Sequence, residues 1–324
     1  MNLPRRAFLQ LTVGAAALPA RSCVAQAQAY PARPVRLVVG FAAGGGTDIA
    51  ARLTGQWLSA RLGQSFIVEN RPGAGSSTAA EVVVNASPDG YTLLVAGLAN
   101  AVNATLYTKL TFNFTRDFVA VAGILSAPNL MVVHPSFPAK TVPEFIAYAE
   151  ANPSKVNMGS AGVGSGTHMS GELFKMMTGL ELPHVPYRGS APATTDLLAG
   201  QVAMLFADYS AIEYVRAGRL RALAVTTATR SPILPGVPAM SESVPGYEAS
   251  GWYGVVAPRN TRTDIVDKLN GDINAILADP KLNARFADLG ATALVASPAD
   301  FGKLMVDETE KWAKVVKFSG ARVD

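Results

Sequence analysis

The chain has 324 residues, 49% of them hydrophobic, a formal charge of +4 and a single cysteine. Residues 1–27 hold three basic residues and no acid, which leaves 25 basic against 24 acidic side chains in the rest. A near-neutral remainder argues against nucleic acid or an anionic membrane surface as the main partner.

The first 27 residues read as an export signal. Arg5-Arg6 is followed by an uncharged, largely apolar run over 7–20, too short to span a bilayer. Ala25-Gln26-Ala27 and Ala27-Gln28-Ala29 both fit a small-x-small cleavage site. Arg5-Arg6-Ala7-Phe8-Leu9 resembles a twin-arginine signal, although Pro4 and Gln10 depart from that pattern, so the twin-arginine and general secretory routes both stay open. Arg21-Ser22 makes a poor lipobox before Cys23, so the cysteine is expected to leave with the signal. The mature chain then has no disulfide and no thiolate chemistry, and its expected location is the periplasm.

The stretch 37–53 is a strand over 37–41, the turn Gly44-Gly45-Gly46, and a helix with Ile49, Leu53, Trp57 and Leu58 on one face. A strand feeding a glycine turn and a helix presents unpaired backbone N–H groups and a partial positive charge, which attract an anion. Glycine lets a ligand approach the backbone with no Cβ in the way. This turn is read as holding one carboxylate of a small organic acid; the alternative is a structural turn capped by Thr47. Next come a strand over 66–69, a glycine turn over 71–77, a helix over 78–84, the turn Pro88-Asp89-Gly90 and a strand over 91–96. Asn100 and Asn103 follow, as cleft or turn residues.

A strand over 129–133 precedes Thr141 and Glu144, a capping box that opens a helix to residue 151. A short strand over 157–160 then runs into Gly162-Val163-Gly164-Ser165-Gly166-Thr167-His168 and a helix marked by Met169, Leu173, Met176 and Met177. This repeats the arrangement at 37–53. A helix capped by Ser190, a strand over 202–206 ending at Ala207-Asp208-Tyr209, and strands over 221–226 and 253–257 come next. Helices over 263–277 and 298–318 finish the chain, the last opened by a capping box of Ser297 and Asp300. The alternation predicts an α/β fold with largely parallel sheets. Ligands in such sheets sit off the carboxyl ends of strands, so 41–48, 162–168 and 207–209 are expected to converge on one cleft.

Enzyme signatures are weak. His134, His168 and His184 have no zinc-ligand spacing. Gly162-Val163-Gly164-Ser165-Gly166 puts Ser in the wrong place for a nucleophile elbow, and Thr167 replaces the third glycine of a dinucleotide fingerprint. No metal, cofactor or catalytic residue is therefore assigned. His168, in the first turn of its helix, is a candidate partner for a ligand carboxylate, with packing as the alternative. Arg71 is read as a structural ion pair, and Arg188 stands between that role and a bidentate carboxylate contact. Asp208 either accepts from a ligand N–H or O–H or caps a segment starting near Ser210.

Six stretches together resemble one family. They are 41–48, 69–75, Asp89-Gly90-Tyr91-Thr92-Leu93-Leu94, 159–168, His184-Val185-Pro186-Tyr187-Arg188-Gly189-Ser190-Ala191-Pro192-Ala193, and Gly218-Arg219-Leu220-Arg221-Ala222-Leu223-Ala224-Val225. In this order they resemble a Bug-type extracytoplasmic solute receptor, the substrate-binding component of tripartite tricarboxylate transporters. The resemblance implies a type II periplasmic-binding-protein fold of two α/β domains joined by two crossover segments, domain I being 28–127 with 250–324 and domain II 128–249. Closure is expected to be a hinge motion around an organic acid. Phe41, Ala42, Gly46 and Thr47 would face the ligand from one domain, and Gly164, Ser165, Gly166 and Thr167 from the other. Gly45, Asn100, His168 and Asp208 complete the candidate set. The implied partner of this monomer is a membrane permease of a large and a small subunit. Many relatives carry Asp-Asn where this chain has Ala207-Asp208, and Thr-His where it has Ala99-Asn100. The substrate is thus expected to differ from a simple dicarboxylate, with Asp208 favouring an amino or hydroxyl group. Two other readings stay open: a receptor that reports ligand to a membrane sensor, and a periplasmic enzyme on the same fold.

Overall fold

The computed structural model describes residues 30–153 and 155–320; the export-signal reading of 1–27, with Arg5, Arg6 and Cys23, lies outside them. The chain opens with β1 (Val35–Val39), α1 (Gly46–Leu62), β2 (Phe66–Asn70), α2 (Ser77–Val84), β3 (Thr92–Gly97), α3 (Leu98–Leu106), α4 (Phe114–Asp117) and β4 (Phe118–Pro128). It continues with β5 (Leu130–Val133), α5 (Val142–Ala151), β6 (Met158–Ser160), α6 (Gly166–Thr178), β7 (His184–Pro186), α7 (Ser190–Leu198), β8 (Met204–Ala207), α8 (Ile212–Arg216) and β9 (Arg221–Val225). It returns through β10 (Ser250–Pro258), α9 (Thr263–Leu277), α10 (Pro280–Asp288), β11 (Thr292–Ala293) and α11 (Pro298–Ser319).

These strands form two sheets, ordered β11-β4-β10-β3-β1-β2 and β7-β6-β8-β5-β9. This is the two-domain α/β periplasmic-binding-protein fold. The expectation of largely parallel sheets is corrected. β1 runs parallel to β2 and β3, and β6 to β7 and β8. β10 runs antiparallel to β3 and β4, β11 to β4, and β5 to β8 and β9. The antiparallel strands are those next to the crossovers: β4 feeds β5 through Asn129 alone, and β10 returns from the other sheet. A strand arriving from the other sheet need not obey the βαβ rule that keeps neighbours parallel.

The two crossovers lie against each other. Asn129 N–H donates to Thr226 Oγ1 at 2.8 Å, Thr226 N–H donates to the Asn129 carbonyl at 2.9 Å, and Ala249 N–H donates to the Thr226 carbonyl at 2.9 Å. Buried backbone groups that leave one sheet for the other thereby keep partners.

β1 is buried on both faces, with Val35, Leu37, Val38 and Val39 fully covered, because helices pack on each side of the sheet. α1 differs from the predicted face. Ile49, Leu53 and Trp57 are only half-buried, and the covered stripe is Ala50, Ala51, Thr54, Gly55 and Leu58. The small residues let α1 come close to the sheet: a Cβ on Gly55 would lie 3.1 Å from the Phe66 carbonyl oxygen and 3.2 Å from Leu37 Cδ1. β4, α3 and α10 have no counterpart in the sequence reading. No helix among the described residues is long and apolar enough to cross a membrane.

Candidate functional site

The carboxyl ends of β1, β3, β6 and β8 meet between the two sheets. A cavity of about 40 Å³ lies there, lined by Phe41, Gly45, Gly46, Thr47, Gly97, Leu98, Ala99, Asn129, Ala161, Ser165, Gly166, Thr167, Ser190, Asp208, Gly251, Trp252 and Tyr253. All three segments expected to converge, 41–48, 162–168 and 207–209, contribute to it. Asp208 is the single charged side chain of this lining.

The start of α6 is built to donate. Ser165 is its N-cap, and the Ser165 hydroxyl accepts from His168 N–H at 3.1 Å. The Thr167 hydroxyl accepts from Ala161 N–H at 2.9 Å and shares a 2.9 Å hydrogen bond with Ser165 Oγ. Two hydroxyls bonded to each other use one of their two protons, so the second is free for another acceptor. The N–H groups of Gly166 and Thr167 occupy the first two helical positions, which have no partner within a helix. No acid lies in this first turn. Asn129 fixes the turn from below, donating to Ser170 Oγ at 2.9 Å.

His168 stands behind this turn. Its Nδ1 lies 3.1 Å from Gly164 N, and its Nε2 lies 3.4 Å from Glu172 Oε1. Its ring stacks on His184 at 4.0 Å, and His184 Nε2 bonds Ser160 Oγ at 2.6 Å. Burial pushes His184 down to about 3, and the neighbouring His168 adds to that. Burial alone would raise the Glu172 carboxyl, but the contacts with His168 and Lys175 outweigh it and hold it below the usual carboxylate range. His168 thus braces the Gly164 turn and does not line the cavity.

The start of α1 is different, because two carboxylates already sit there. Gly46 N–H, the first of the helix, donates to Asp208 Oδ2 at 3.0 Å. Gly44 N–H donates to Asp48 Oδ2 at 2.9 Å, and Asp48 is held by Arg52 at 2.8 Å and by Asn70 at 2.9 Å. Burial works against the Asp48 charge, and these bonds overcome it, keeping the carboxyl below its ordinary range. Asp208 Oδ2 also accepts from the Ser190 hydroxyl at 2.5 Å, and Oδ1 accepts from Ser210 N–H at 3.0 Å and from the Ser210 hydroxyl. Asp208 therefore caps the turn at Ser210 and spans the cleft at once. The sequence reading of Ser190 as a helix cap is corrected: Gly189 holds that position, and the Ser190 hydroxyl is drawn to Asp208 instead.

Other bonds join the segments on either side of this cleft. Ala42 N–H donates to the Arg188 carbonyl at 3.0 Å, and the Tyr209 hydroxyl donates to the Gly46 carbonyl at 2.5 Å. The Tyr209 and Tyr253 rings meet edge to face at 5.7 Å. Burial lifts both phenols well above their ordinary value.

Of the candidate residues, Phe41, Gly45, Gly46, Thr47, Ser165, Gly166, Thr167 and Asp208 line the cavity, and Ala42, Asn100, Gly164 and His168 do not. Asn100 and Asn103 lie buried in α3 and hold the 73–77 turn. Asn100 donates to Ser76 Oγ at 3.2 Å, and Asn103 donates to the Gly75 carbonyl at 2.7 Å. Arg71 pairs with Glu69, as expected. Arg188 is exposed and lines an adjoining cavity of about 410 Å³ that shares Phe41 and Ala161 with the first. Sequence reasoning placed Ala99 at the cleft, where it lies, and missed Leu98, Asn129, Ser190, Trp252 and Tyr253. Ser190 alone carried a legible signal, since it follows β7 and a glycine at a helix start. Trp252 and Tyr253 come from a returning strand that only the fold brings alongside.

The profile of the tripartite tricarboxylate transporter family receptor matches residues 50–320. Protein BugT of Bordetella pertussis is 36% identical over 301 residues, 92% of this chain and 92% of its own. Among solved structures, R. palustris Rpa4515 with adipate is 39% identical with a TM-score of 0.87, over 90% of this chain and 98% of that one. MatC from Rhodopseudomonas palustris, with bound malate, is 34% identical with a TM-score of 0.85, over 89% and 100%.

Proposed function

The chain belongs to the tripartite tricarboxylate transporter receptor family, and on that premise we propose that it captures a small carboxylic acid between its two domains in the periplasm and delivers it to a permease of a large and a small membrane subunit. Like its structural neighbours, it is a substrate-binding receptor and not an enzyme. The observation that carries the ligand reading is the α6 turn. Gly166 N–H, Thr167 N–H and one hydroxyl proton of the Ser165–Thr167 pair border the cavity, with no acid in that turn. Three donors on a helix start match a carboxylate's acceptor-only oxygens. Domain I (28–127 and 250–324) and domain II (128–249) close around it as a monomer, hinged at the paired crossovers near Asn129 and Thr226.

A thermal-shift screen of mono-, di- and tricarboxylates, amino acids and aromatic acids tests this. A ligand at a hundredfold its Kd adds about 2.7 kcal/mol of stability, so a cognate acid is expected to raise the melting temperature by several degrees. If no carboxylate shifts it, the reading fails. Loss of uptake of that acid on deleting the receptor tests the delivery step separately.

A further inference from the structure

We propose that Asp208 makes this receptor select acids with one carboxylate and an uncharged body, and reject acids that turn a second carboxylate toward α1. The inference rests on the carboxylate reading above and narrows it.

The two helix starts at the cavity are not equivalent. The α6 start has N–H and hydroxyl donors and no acid in its turn. At the α1 start, Asp208 Oδ2 holds Gly46 N–H and Asp48 Oδ2 holds Gly44 N–H. Asp48 is paired with the Arg52 guanidinium, so the charge left without a cation at this helix start is that of Asp208, which opposes the roughly half a positive charge of the aligned peptides. A ligand carboxylate seeking α1 would meet Asp208 beside the donor it needs, at a distance where like charges repel strongly in a partly desolvated site. No cation of the lining offsets this, because Asp208 is its one charged member. Arg188, the cation of the adjoining cavity, is solvent-exposed.

Asp208 also has no need of a ligand donor. Each of its oxygens accepts from one backbone N–H and one hydroxyl of the protein. The amino or hydroxyl group expected from the sequence therefore has no vacant acceptor to meet there. What remains for the ligand body is the wall formed by Phe41, Leu98, Trp252 and Tyr253, which is mostly apolar and aromatic, with Trp252 Nε1 and the Tyr253 hydroxyl as its polar atoms.

The test is calorimetry with acids paired on one skeleton: butanoate with succinate, hexanoate with adipate, benzoate with terephthalate. Wild type is expected to bind the monocarboxylate of the preferred skeleton at least about tenfold tighter than its partner. Asp208→Asn is expected to lower that ratio by about tenfold or more, through tighter dicarboxylate binding. The wild-type ratio stands whether or not the variant keeps its melting temperature. A dicarboxylate bound as tightly as its partner by wild type, or a ratio unmoved in a folded Asp208→Asn, overturns this inference and leaves the carboxylate reading intact. Failure of all six acids to bind either protein overturns this inference, and the carboxylate reading falls with it only when the wider thermal-shift screen is also negative.

Discussion

At the scale of the residue, His184 shows how the turn before α6 is braced. It is stacked on His168, bonded to Ser160, and burial holds it neutral until about pH 3. An unfolded chain takes up that proton near the ordinary value of 6.5. Between these values the unfolded state binds more protons, so stability is complete above about 6.5 and is lost as pH falls toward 3. The loss is up to about 1.4 kcal/mol per pH unit. Glu172, whose carboxyl is lowered, works in the same sense at more acid pH. His184→Gln is expected to flatten the fall of melting temperature between pH 6.5 and 4. An unchanged slope in that variant would show that His184 does not carry the acid sensitivity.

At the scale of the element, α6 is the part whose local sequence states its task. Gly164 takes φ +78°, which a side chain rarely adopts, and a Cβ there would lie 2.7 Å from Asn103 Oδ1 and from Leu106 Cδ2. Glycine thus lets α3 and the turn pack together. Ser165 caps the helix and also shares its hydroxyl with Thr167. Loss of an N-cap costs about 1 kcal/mol. Ser165→Ala is therefore expected to lower stability by about that amount and to weaken the cognate acid by at least about tenfold, more than the cap alone explains. Denaturant unfolding and calorimetry on one preparation separate the two effects. Affinity unchanged in the face of a lost cap would remove the hydroxyl pair from the binding site. α1 reads less plainly, since its half-buried Ile49, Leu53 and Trp57 mimic a core face while Ala51, Thr54 and Gly55 do the packing.

At the scale of the whole molecule, the closure proposed above would depend on how near α1 can come to the elements facing it. A Cβ on Gly46 would lie 2.8 Å from Tyr253 Oη and 2.9 Å from Asp208 Oδ2, closer than real contacts allow. Gly46→Ala sits at the first position of a helix, where alanine itself is well tolerated. Tyr253 belongs to the same proposed domain as α1, so some fall in melting temperature without ligand is expected; the contact with Asp208 is read as a loss of about tenfold or more in affinity and less compaction on ligand addition in small-angle scattering. Normal compaction and affinity would show that the Gly46 contact with Asp208 is not part of closure.

The α/β class, the two glycine turns and most element positions follow from the order of residues alone. The predicted helix over 263–277 coincides with α9 (Thr263–Leu277), because periodicity and glycine punctuation act over a few residues and are written locally. The attraction of a helix start for an anion is local too, and the α1 start shows it by taking Asp208. What sequence leaves open is which anion arrives. Gly46 and Asp208 stand 162 residues apart, and their 3.0 Å bond exists only because two crossovers lay one sheet against the other. Ser190, Trp252 and Tyr253 reach the cavity by the same route. Local backbone chemistry made both helix starts receptive, and the long-range packing of the chain gave one of them a carboxylate of its own and left the other without one.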